Sequence, residues 1–239
     1  MNETWYLDGK ICAFQPKNGY RAGTDSLLLA QSLNLKSGAK VLELGTGSAL
    51  AMLIANHNCP NCHFTGLDNS ADMLALARKN THDFENISIE SGNVGAIPKA
   101  WHLQFDHVFA NPPYFDTAKS VRMSDAKAPS FVTDDAKLAD WIAAMLITLK
   151  PRGTATLIYR ADGLEHILSA LVNKAGRIRI LPIHSFADAP AKRVIVQFRK
   201  GVKSESALLP ALILHERGAT AKFTAKTQEI LAGKRSLIL

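Results

Sequence analysis

The chain contains 239 residues, of which 47% are hydrophobic and 21% are charged, with 15 Gly and 10 Pro. This composition is typical of a globular protein and excludes the disordered, collagen-like and low-complexity classes. No apolar run approaches the roughly 18 residues that a membrane span requires, and the N-terminus lacks the basic and apolar segments of a secretory signal. We therefore expect a cytoplasmic protein of one large domain with an appendage, since a domain averages about 150 residues.

Charge is distributed unevenly along the chain, whose formal net charge is +7. Residues 1–116 hold 8 Lys and Arg against 11 Asp and Glu, whereas residues 117–239 hold 20 against 10. A basic half of this kind suggests a polyanionic partner, most simply nucleic acid. The same excess is also compatible with a solvated basic surface that has no specific partner.

Short apolar runs alternate with amphipathic segments along most of the chain. Strands are predicted at residues 39–47, 63–68, 87–90, 105–110, 154–159, 177–183, 193–198 and 208–214. Helices are predicted at residues 49–56, 70–80, 134–149, 164–173 and 224–231. Ser70 is the expected N-cap of the second helix, and Pro151 and Gly153 are expected to end the third.

Strands that alternate with helices favour a parallel sheet with helices on both faces. The strands at residues 177–183 and 193–198 have no helix between them, so they should pair antiparallel. We therefore predict an α/β fold with a seven-stranded, mostly parallel, doubly wound sheet and an antiparallel final strand. This arrangement resembles the Rossmann-like class I S-adenosylmethionine-dependent methyltransferase fold.

Three cysteines, Cys12, Cys59 and Cys62, are expected to be reduced thiols, because the count is low and odd. The segment from Cys59 to His63 matches the C-x-x-C-H pattern of haem attachment, and the same side chains could bind zinc. Haem attachment requires export, and no second Cys or His pair stands at the spacing of a four-ligand zinc site. We therefore expect a surface turn with two free thiols and no metal.

A Gly-x-Gly turn, Gly45-Thr46-Gly47, joins the first strand of the predicted sheet to the following helix. Glycines in such a turn let the backbone approach a ligand closely. Asp68 ends the next strand, where an acid accepts hydrogen bonds from a ribose diol. Leu50 stands where a dinucleotide fingerprint has its third glycine, so NAD and S-adenosylmethionine both remain possible cofactors.

The segment at residues 41–48 resembles the first motif of S-adenosylmethionine-dependent methyltransferases more than that of Rossmann dehydrogenases, and Glu43 is part of that resemblance. Asn93 stands where this fold often carries an acid that contacts adenine, and its amide oxygen can still accept from an amino group. The candidate cofactor-binding residues of this region are Glu43, Gly45, Thr46, Gly47, Asp68, Asn69, Asn93, Val94 and Asn111.

The most specific motif is Asn111-Pro112-Pro113-Tyr114, directly after the strand at residues 105–110. A conjugated amino group is a poor nucleophile because its lone pair is delocalised into the ring. Acceptors at its two N–H groups, the Asn111 side-chain oxygen and the Pro112 carbonyl, would localise that lone pair toward a methyl donor. Tyr114 would offer a face on which a base can stack. We take all four residues as candidate catalytic residues.

The position of this tetrapeptide strengthens the interpretation. It follows a strand at the same edge of the predicted sheet as Gly45 and Asp68, where open α/β sheets bind their ligands. The alternative is a simple Pro-Pro turn, with the asparagine as a turn residue and the tyrosine in the core.

Two more segments extend the resemblance to a family. Residues 19–30, and residues 191–201 followed by 212–215, are similar to the N-terminal and C-terminal signatures of the bacterial tRNA1(Val) adenine-37 N6-methyltransferase family. The similarity covers nearly the whole chain. It implies a cytoplasmic enzyme that transfers a methyl group from S-adenosylmethionine to the exocyclic N6 of an anticodon-loop adenine.

By that resemblance Arg21, Thr24 and Asp25 close over the cofactor from the N-terminal side, although Thr24 and Asp25 also fit a helix N-cap. Residues 1–38 are accordingly expected to pack as an extension on the cofactor site of a methyltransferase domain at residues 39–200. Residues 201–239 are expected to append a strand and a helix to the same domain.

The resemblance implies tRNA as the partner, and the sequence gives no indication of oligomeric state. An anticodon loop is single stranded, so presenting one of its bases to a pocket costs only about a few kcal/mol. The basic half would hold the phosphates, although each of its cations could equally be a solvated charge. The candidates are Lys119, Arg122, Lys127, Lys192, Arg193, Arg199 and Lys200.

Other functions fit parts of this pattern. A glutamine N5-methyltransferase that acts on a release factor uses the same tetrapeptide logic, but usually carries a helical domain for which 38 residues leave little room. Methyltransferases that act on amino groups of rRNA or DNA bases also remain open, although DNA enzymes usually add a target-recognition domain. A non-catalytic RNA-binding module that retains the cofactor is a further alternative.

Overall fold

A computed structural model describes residues 2–16, 23–114 and 137–239. The strands are β1 (Asn2–Tyr6), β2 (Ile11–Gln15), β3 (Lys40–Leu44), β4 (His63–Asp68), β5 (Ile87–Ser91), β6 (Phe105–Ala110), β7 (Leu149–Arg160), β8 (Ala175–His184), β9 (Ala191–Lys200), β10 (Ala207–Leu208) and β11 (Leu212–Ile213). The helices are α1 (Thr24–Gln31), α2 (Leu50–Asn58), α3 (Ala71–Thr81), α4 (Leu138–Thr148), α5 (Leu164–Leu171) and α6 (Ala225–Leu231).

One large sheet organises these elements, in the order β10-β8-β9-β7-β6-β3-β4-β5, with β11 also paired to β8. Strand β9 runs antiparallel to both β7 and β8, and the other neighbours are parallel. The predicted doubly wound, mostly parallel α/β sheet is therefore confirmed. The carboxyl ends of β3, β4 and β6 meet at one edge, which we call the carboxyl edge.

The central strands are buried on both faces of the sheet. Successive side chains of a strand point to opposite faces, and Val41 and Leu42 accordingly enter two different apolar clusters. The cluster of Val41 includes Leu28 and Met52 from α1 and α2, whereas that of Leu42 includes Met145 from α4. Burial on both faces explains why apolar residues stand side by side in β3 and β6, as in Val41-Leu42 and Val108-Phe109, rather than alternating with polar ones.

The end of α4 differs from the prediction. Helix α4 stops at Thr148 and β7 begins at the next residue, so Pro151 and Gly153 lie within the strand rather than after the helix. The register between β6 and β7 shifts there, because Phe105 pairs with Leu149 and His107 already pairs with Thr154. This bulge keeps the proline, which has no N–H, out of the ladder.

Two other local predictions need correction. The strand expected at residues 208–214 is split into β10 and β11, which flank Pro210, a residue that cannot donate to the ladder. The N-terminal extension contains an unpredicted hairpin, in which β1 pairs antiparallel with β2. Asp8-Gly9, between two strand-like runs, was a sequence signal for it.

The hairpin is tied to the loop that follows β3. Asn80 of α3 accepts from the Phe14 backbone N–H at 2.8 Å and donates to the carbonyl oxygens of Phe14 and Ser48. The Gln15 side chain donates to the Ser48 hydroxyl at 3.1 Å.

Within the described ranges, no helix is both long and apolar enough to cross a lipid bilayer.

Candidate active site

The loop after β3 depends on its two glycines. Gly45 and Gly47 have φ angles of +66° and +54°, in the left-handed region that side chains disfavour. A Cβ atom on Gly45 would lie 2.5 Å from the Trp141 ring, so the loop packs directly against that indole. A Cβ atom on Gly47 would meet nothing within 4 Å, so this face of the loop is open to a ligand.

Asp68 holds the loop from the end of β4. Its Oδ2 accepts from the Gly47 N–H at 2.8 Å, and its Oδ1 accepts from the Ser70 N–H at 2.9 Å. Ser70 caps α3 as predicted, since its hydroxyl accepts from the Met73 N–H. A carboxylate offers about four acceptor positions, so each Asp68 oxygen retains one for a diol.

A cavity of about 530 Å³ lies at the carboxyl edge between the glycine loop and the tetrapeptide. Most of the predicted cofactor-binding residues and all four predicted catalytic residues line it. The lining residues are Gly45, Gly47, Leu67, Asp68, Asn69, Met73, Gly92, Asn93, Val94, Asn111, Pro112, Pro113, Tyr114 and Trp141. This volume lies within the range of small-molecule sites, and the lining combines apolar walls with a few polar groups.

The lining fits S-adenosylmethionine. Leu67, Met73 and Val94 would offer apolar surface to a flat base, and Asp68 would accept from a ribose. The absence of a side chain at Gly47 would let the ligand approach the backbone closely. The Asn93 oxygen already accepts from the Gly95 N–H at 2.7 Å. The second lone pair of the Asn93 oxygen is still available for the predicted contact with adenine.

Glu43 is buried beneath the loop, beside the large cavity rather than on its wall. Its Oε2 accepts from the Thr46 hydroxyl at 2.7 Å, and both side chains line a small adjoining cavity of about 40 Å³. Burial, together with the nearby Asp68 charge, raises the pKa of Glu43 to about 8. Glu43 is thus a neutral acid at pH 7, and its hydrogen bond with Thr46 holds the glycine loop from below.

We expect Glu43→Gln to become more stable relative to the wild type as pH rises from 5 to 8. Glutamine matches the neutral acid and cannot ionise. In the wild type, the unfolded chain releases the Glu43 proton near pH 4.5 while the folded chain keeps it to about pH 8, so stability is lost between these values. The loss approaches about 1.4 kcal/mol per pH unit at most.

Urea unfolding of both proteins at pH 5, 6.5 and 8 measures this trend. Buried His107, whose pKa is lowered to about 4, has the opposite effect, but it is common to both proteins and cancels in the difference. Parallel pH curves for variant and wild type would contradict the assignment of a neutral Glu43.

Tyr114 connects the tetrapeptide to the N-terminal helix. Its hydroxyl donates to Asp25 Oδ2 at 2.5 Å and lies 3.3 Å from Asn111 Oδ1. Burial and the Asp25 charge raise the pKa of Tyr114 well above its usual range, so the phenol remains a neutral donor. Asp25, predicted as a cofactor-binding residue, thus lies against the candidate catalytic tetrapeptide.

Arg193 completes this cluster from the start of β9. Its Nε donates to Asp25 Oδ2 at 3.0 Å and to the Tyr114 hydroxyl at 3.1 Å. Its guanidinium carbon lies 4.3 Å from the centre of the Tyr114 ring, and the Tyr159 ring meets the same ring edge-on at 5.6 Å. Arg193, predicted as a phosphate contact, is thus engaged with Asp25 and Tyr114.

Those of the predicted RNA-binding cations that the structure describes do not form one surface. Lys192 is exposed at the carboxyl edge, whereas Arg199 and Lys200 end β9 at the opposite edge and donate to the carbonyl oxygens of Arg152 and Leu149. Six residues of strand, or about 20 Å, separate Arg193 from Arg199. Four predicted site residues lie outside the described ranges, namely Arg21, Lys119, Arg122 and Lys127.

The remaining predictions concern Thr24 and the cysteines. Gly23, not Thr24, is the N-cap of α1, and Thr24 is the first helical residue. Cys59 and Cys62 are free thiols with their sulfurs 3.1 Å apart, but Cys62 is buried rather than part of a surface turn. Among the described residues, no three His, Cys, Asp or Glu side chains are grouped closely enough to hold a metal.

Trp141 and Tyr159 also belong to the site, although neither was among the site residues predicted from the sequence. Trp141 does pack in the core, but it also forms the wall of the cavity behind Gly45. The available signal was its position near the start of the helix that follows the carboxyl end of β6 and leads to β7. No local signal indicated that Tyr159 would meet Tyr114, because the contact joins β7 to a residue 45 positions earlier in the chain.

Comparison with known proteins agrees with this geometry. Residues 35–180 match a family described as a methyltransferase domain. The chain is 29% identical over 209 residues to the tRNA1(Val) (adenine(37)-N6)-methyltransferase of Phocaeicola vulgatus, covering 84% of this chain and 86% of that protein. The resemblance seen in the sequence is thereby confirmed.

Solved structures show the same fold. A predicted O-methyltransferase from Agrobacterium tumefaciens superposes with a TM-score of 0.75 at 23% identity, covering 90% of this chain and 99% of that one. The N-methyltransferase NodS from Bradyrhizobium japonicum, solved with S-adenosyl-L-homocysteine, gives 0.54 at 16% identity, with 74% and 86% covered.

The family match spans β3 to β8 and includes the glycine loop, Asp68 and the tetrapeptide. It decides between the two cofactors that the glycine loop left open, in favour of S-adenosylmethionine. The chain therefore belongs to the methyltransferase domain family and is an S-adenosylmethionine-dependent methyltransferase.

Proposed function

We propose that the enzyme methylates the exocyclic N6 amino group of an adenine in the anticodon loop of tRNA, at position 37 of tRNA(Val). The observation that carries this proposal is the placement of Asn111-Pro112-Pro113-Tyr114 on the wall of the cofactor cavity. S-adenosylmethionine supplies an electrophilic methyl group when it is bound there.

The tetrapeptide makes a planar amino group reactive. Asn111 Oδ1 accepts one N–H of the amino group and the Pro112 carbonyl accepts the other, so the nitrogen lone pair turns out of the base plane. With S-adenosylmethionine bound, this lone pair would form the bond to the methyl carbon as the sulfur–methyl bond breaks and its electron pair stays on the sulfur. The extra proton on the nitrogen would then leave to water. No strong base is needed, which agrees with a tetrapeptide whose polar side chains are an amide and a neutral phenol.

The Tyr114 ring supports the base, and the Tyr114 hydroxyl lies 3.3 Å from Asn111 Oδ1. Stacking of a base on an aromatic ring contributes about 1–3 kcal/mol. The hydroxyl fixes the position of the ring because Asp25 and Arg193 hold it from two different elements. An anticodon-loop base is unpaired, so it can enter this site without the opening of a duplex.

The tetrapeptide alone does not separate adenine from glutamine as the methyl acceptor, since both present a conjugated NH2 group. Two observations favour tRNA. The second half of the chain carries 20 Lys and Arg against 10 Asp and Glu, and proteins of similar sequence are named as tRNA adenine methyltransferases. A cytoplasmic location is part of the same proposal.

Transfer of tritiated methyl from S-adenosylmethionine to three acceptors tests the substrate class. The acceptors are unmodified bulk tRNA, ribosomal RNA and a purified release factor. We expect label in tRNA and none in the other two. Label in the release factor would identify a glutamine N5-methyltransferase, label only in ribosomal RNA would redirect the proposal to that substrate, and no label in any acceptor would favour a binding module.

A further inference from the structure

We propose that the edge of the sheet opposite the active site holds a second binding site, which takes phosphate groups of the RNA substrate. This inference rests on the proposed function. The site is a cavity of about 600 Å³ where β3 and β6 begin, the bulge of β7 turns, β8 begins and β9 ends. We call it the amino-edge cavity.

The amino-edge cavity is strongly basic. Five cationic side chains line it, against Asp106 as the acidic side chain. Lys150 is paired with Asp106 at 2.7 Å. Within the described part of the chain, no carboxylate forms an ion pair with the other four, which are Lys36, Arg152, Arg177 and Arg199.

The arginines are built into irregular parts of the sheet. Arg152 and Arg177 have φ angles of +62° and +49°, a left-handed conformation that costs about 1–2 kcal/mol for a residue with a side chain. Each lies where the strand register shifts, between Leu149 and Thr154 in β7 and between Gly176 and Arg179 in β8. Bulges of this kind redirect side chains and often accompany functional sites.

Arg199 is anchored in the same cavity. Its Nε and one Nη donate to the Arg152 carbonyl at 3.0 and 2.8 Å. This fork fixes the guanidinium beside Arg152 and leaves its other Nη outside these two bonds. Fixed guanidinium groups suit phosphate, which they bind through paired N–H donors.

A folded RNA is a better match for this cavity than a small anion because of its position. The cavity lies about 20 Å from the active site along β9, so an anion bound there cannot reach the reacting nitrogen. A tRNA extends well beyond its anticodon loop, and its backbone can contact both edges. Phosphate contacts of this kind orient a nucleic acid without reading its sequence.

The triple variant Lys36→Gln/Arg152→Gln/Arg177→Gln tests the site, because it removes three cations and keeps Arg199 and its hydrogen bonds. A matched variant, Lys10→Gln/Lys222→Gln/Lys226→Gln, removes three exposed cations elsewhere. Binding of full-length tRNA is measured by fluorescence anisotropy at several salt concentrations. Calorimetry with S-adenosylmethionine checks that both variants retain the fold and the cofactor site.

We expect the first variant to bind tRNA roughly tenfold more weakly at about 0.1 M salt. The slope of log K against log salt concentration should become shallower by about 2 to 3, since each of the three lost phosphate contacts contributes about 0.7–0.9. The matched variant should stay within about twofold of the wild type. Equal losses in both variants, or no loss in the first, would overturn the proposal. Binding of inorganic pyrophosphate by the wild type but not by the first variant, with tRNA binding unchanged, would overturn it in favour of a small-anion site.

These results are independent of methyl transfer. If the wild type binds tRNA through this cavity but labels another acceptor, the proposed function is refuted while the binding site stands. If the wild type methylates tRNA and the first variant binds tRNA normally, the binding site is refuted while the proposed function stands.

Discussion

Replacing Asn111 by alanine is expected to lower the rate of methyl transfer by about two to three orders of magnitude, the usual effect of deleting one group that stabilises a transition state. The change removes the side-chain oxygen that accepts one N–H of the acceptor amino group. The Pro112 carbonyl remains, but a single acceptor leaves the nitrogen lone pair delocalised. The measurement is single-turnover transfer of tritiated methyl at saturating tRNA and cofactor.

Binding of S-adenosylmethionine by calorimetry accompanies this kinetic measurement. Asn111 also lines the cofactor cavity, so affinity should fall only slightly while the rate collapses. Asn61→Ala is the matched control, since Asn61 is exposed between α2 and β4. Near-normal turnover by Asn111→Ala would remove the asparagine from the chemistry.

Replacing Gly45 by alanine is expected to destabilise the fold by about 2–4 kcal/mol and to abolish cofactor binding. The left-handed backbone contributes about 1–2 kcal/mol of this loss. The remainder comes from the new methyl group, which would lie 2.5 Å from the Trp141 ring and force the indole or the loop to move. Both form walls of the cofactor cavity.

Gly218→Ala is the control that separates these two effects. Gly218 has a φ angle of +78°, but a Cβ atom there meets nothing within 4 Å. The Gly218→Ala variant should therefore lose only the stability that the left-handed backbone costs, about 1–2 kcal/mol. It should bind S-adenosylmethionine normally. Urea unfolding gives the stabilities and calorimetry gives the affinities. Equal effects of the two substitutions would show that the contact with Trp141 has no role.

The sequence was sufficient to predict the sheet because its signals are local. Strands β4 and β6 have the predicted bounds, since each is a short strand-like segment that ends at a polar or proline-rich turn. Ser70 caps α3 because the capping hydroxyl and the N–H that it satisfies are three residues apart. Neighbours of this kind are visible in the order of residues alone.

The catalytic side of the site could be predicted only in part. Asn111 and Asp68 lie at the ends of parallel strands, so topology alone brings them to one edge. The contact between Asp25 and Arg193 joins residues 168 positions apart. No periodicity or spacing encodes that pair, and both residues were accordingly given other roles from the sequence.

The basic residues show the same limit. Arg193 and Arg199 bracket one strand and look like a single cluster in the sequence. A strand places its two ends at opposite edges of the sheet, so one of them meets Tyr114 and the other lines the amino-edge cavity. Net charge indicated a polyanionic partner, but only the sheet shows where each cation lies.

The most direct test is mass spectrometry of nucleosides from tRNA incubated with the enzyme and S-adenosylmethionine that carries a deuterated methyl group. If Asn111 and the Pro112 carbonyl hold an adenine amino group beside the cofactor, the label appears as N6-methyladenosine in the anticodon-loop fragment, and Asn111→Ala yields almost none. Label in a ring-nitrogen product such as N1-methyladenosine, or equal labelling by the variant, would contradict this account of the site.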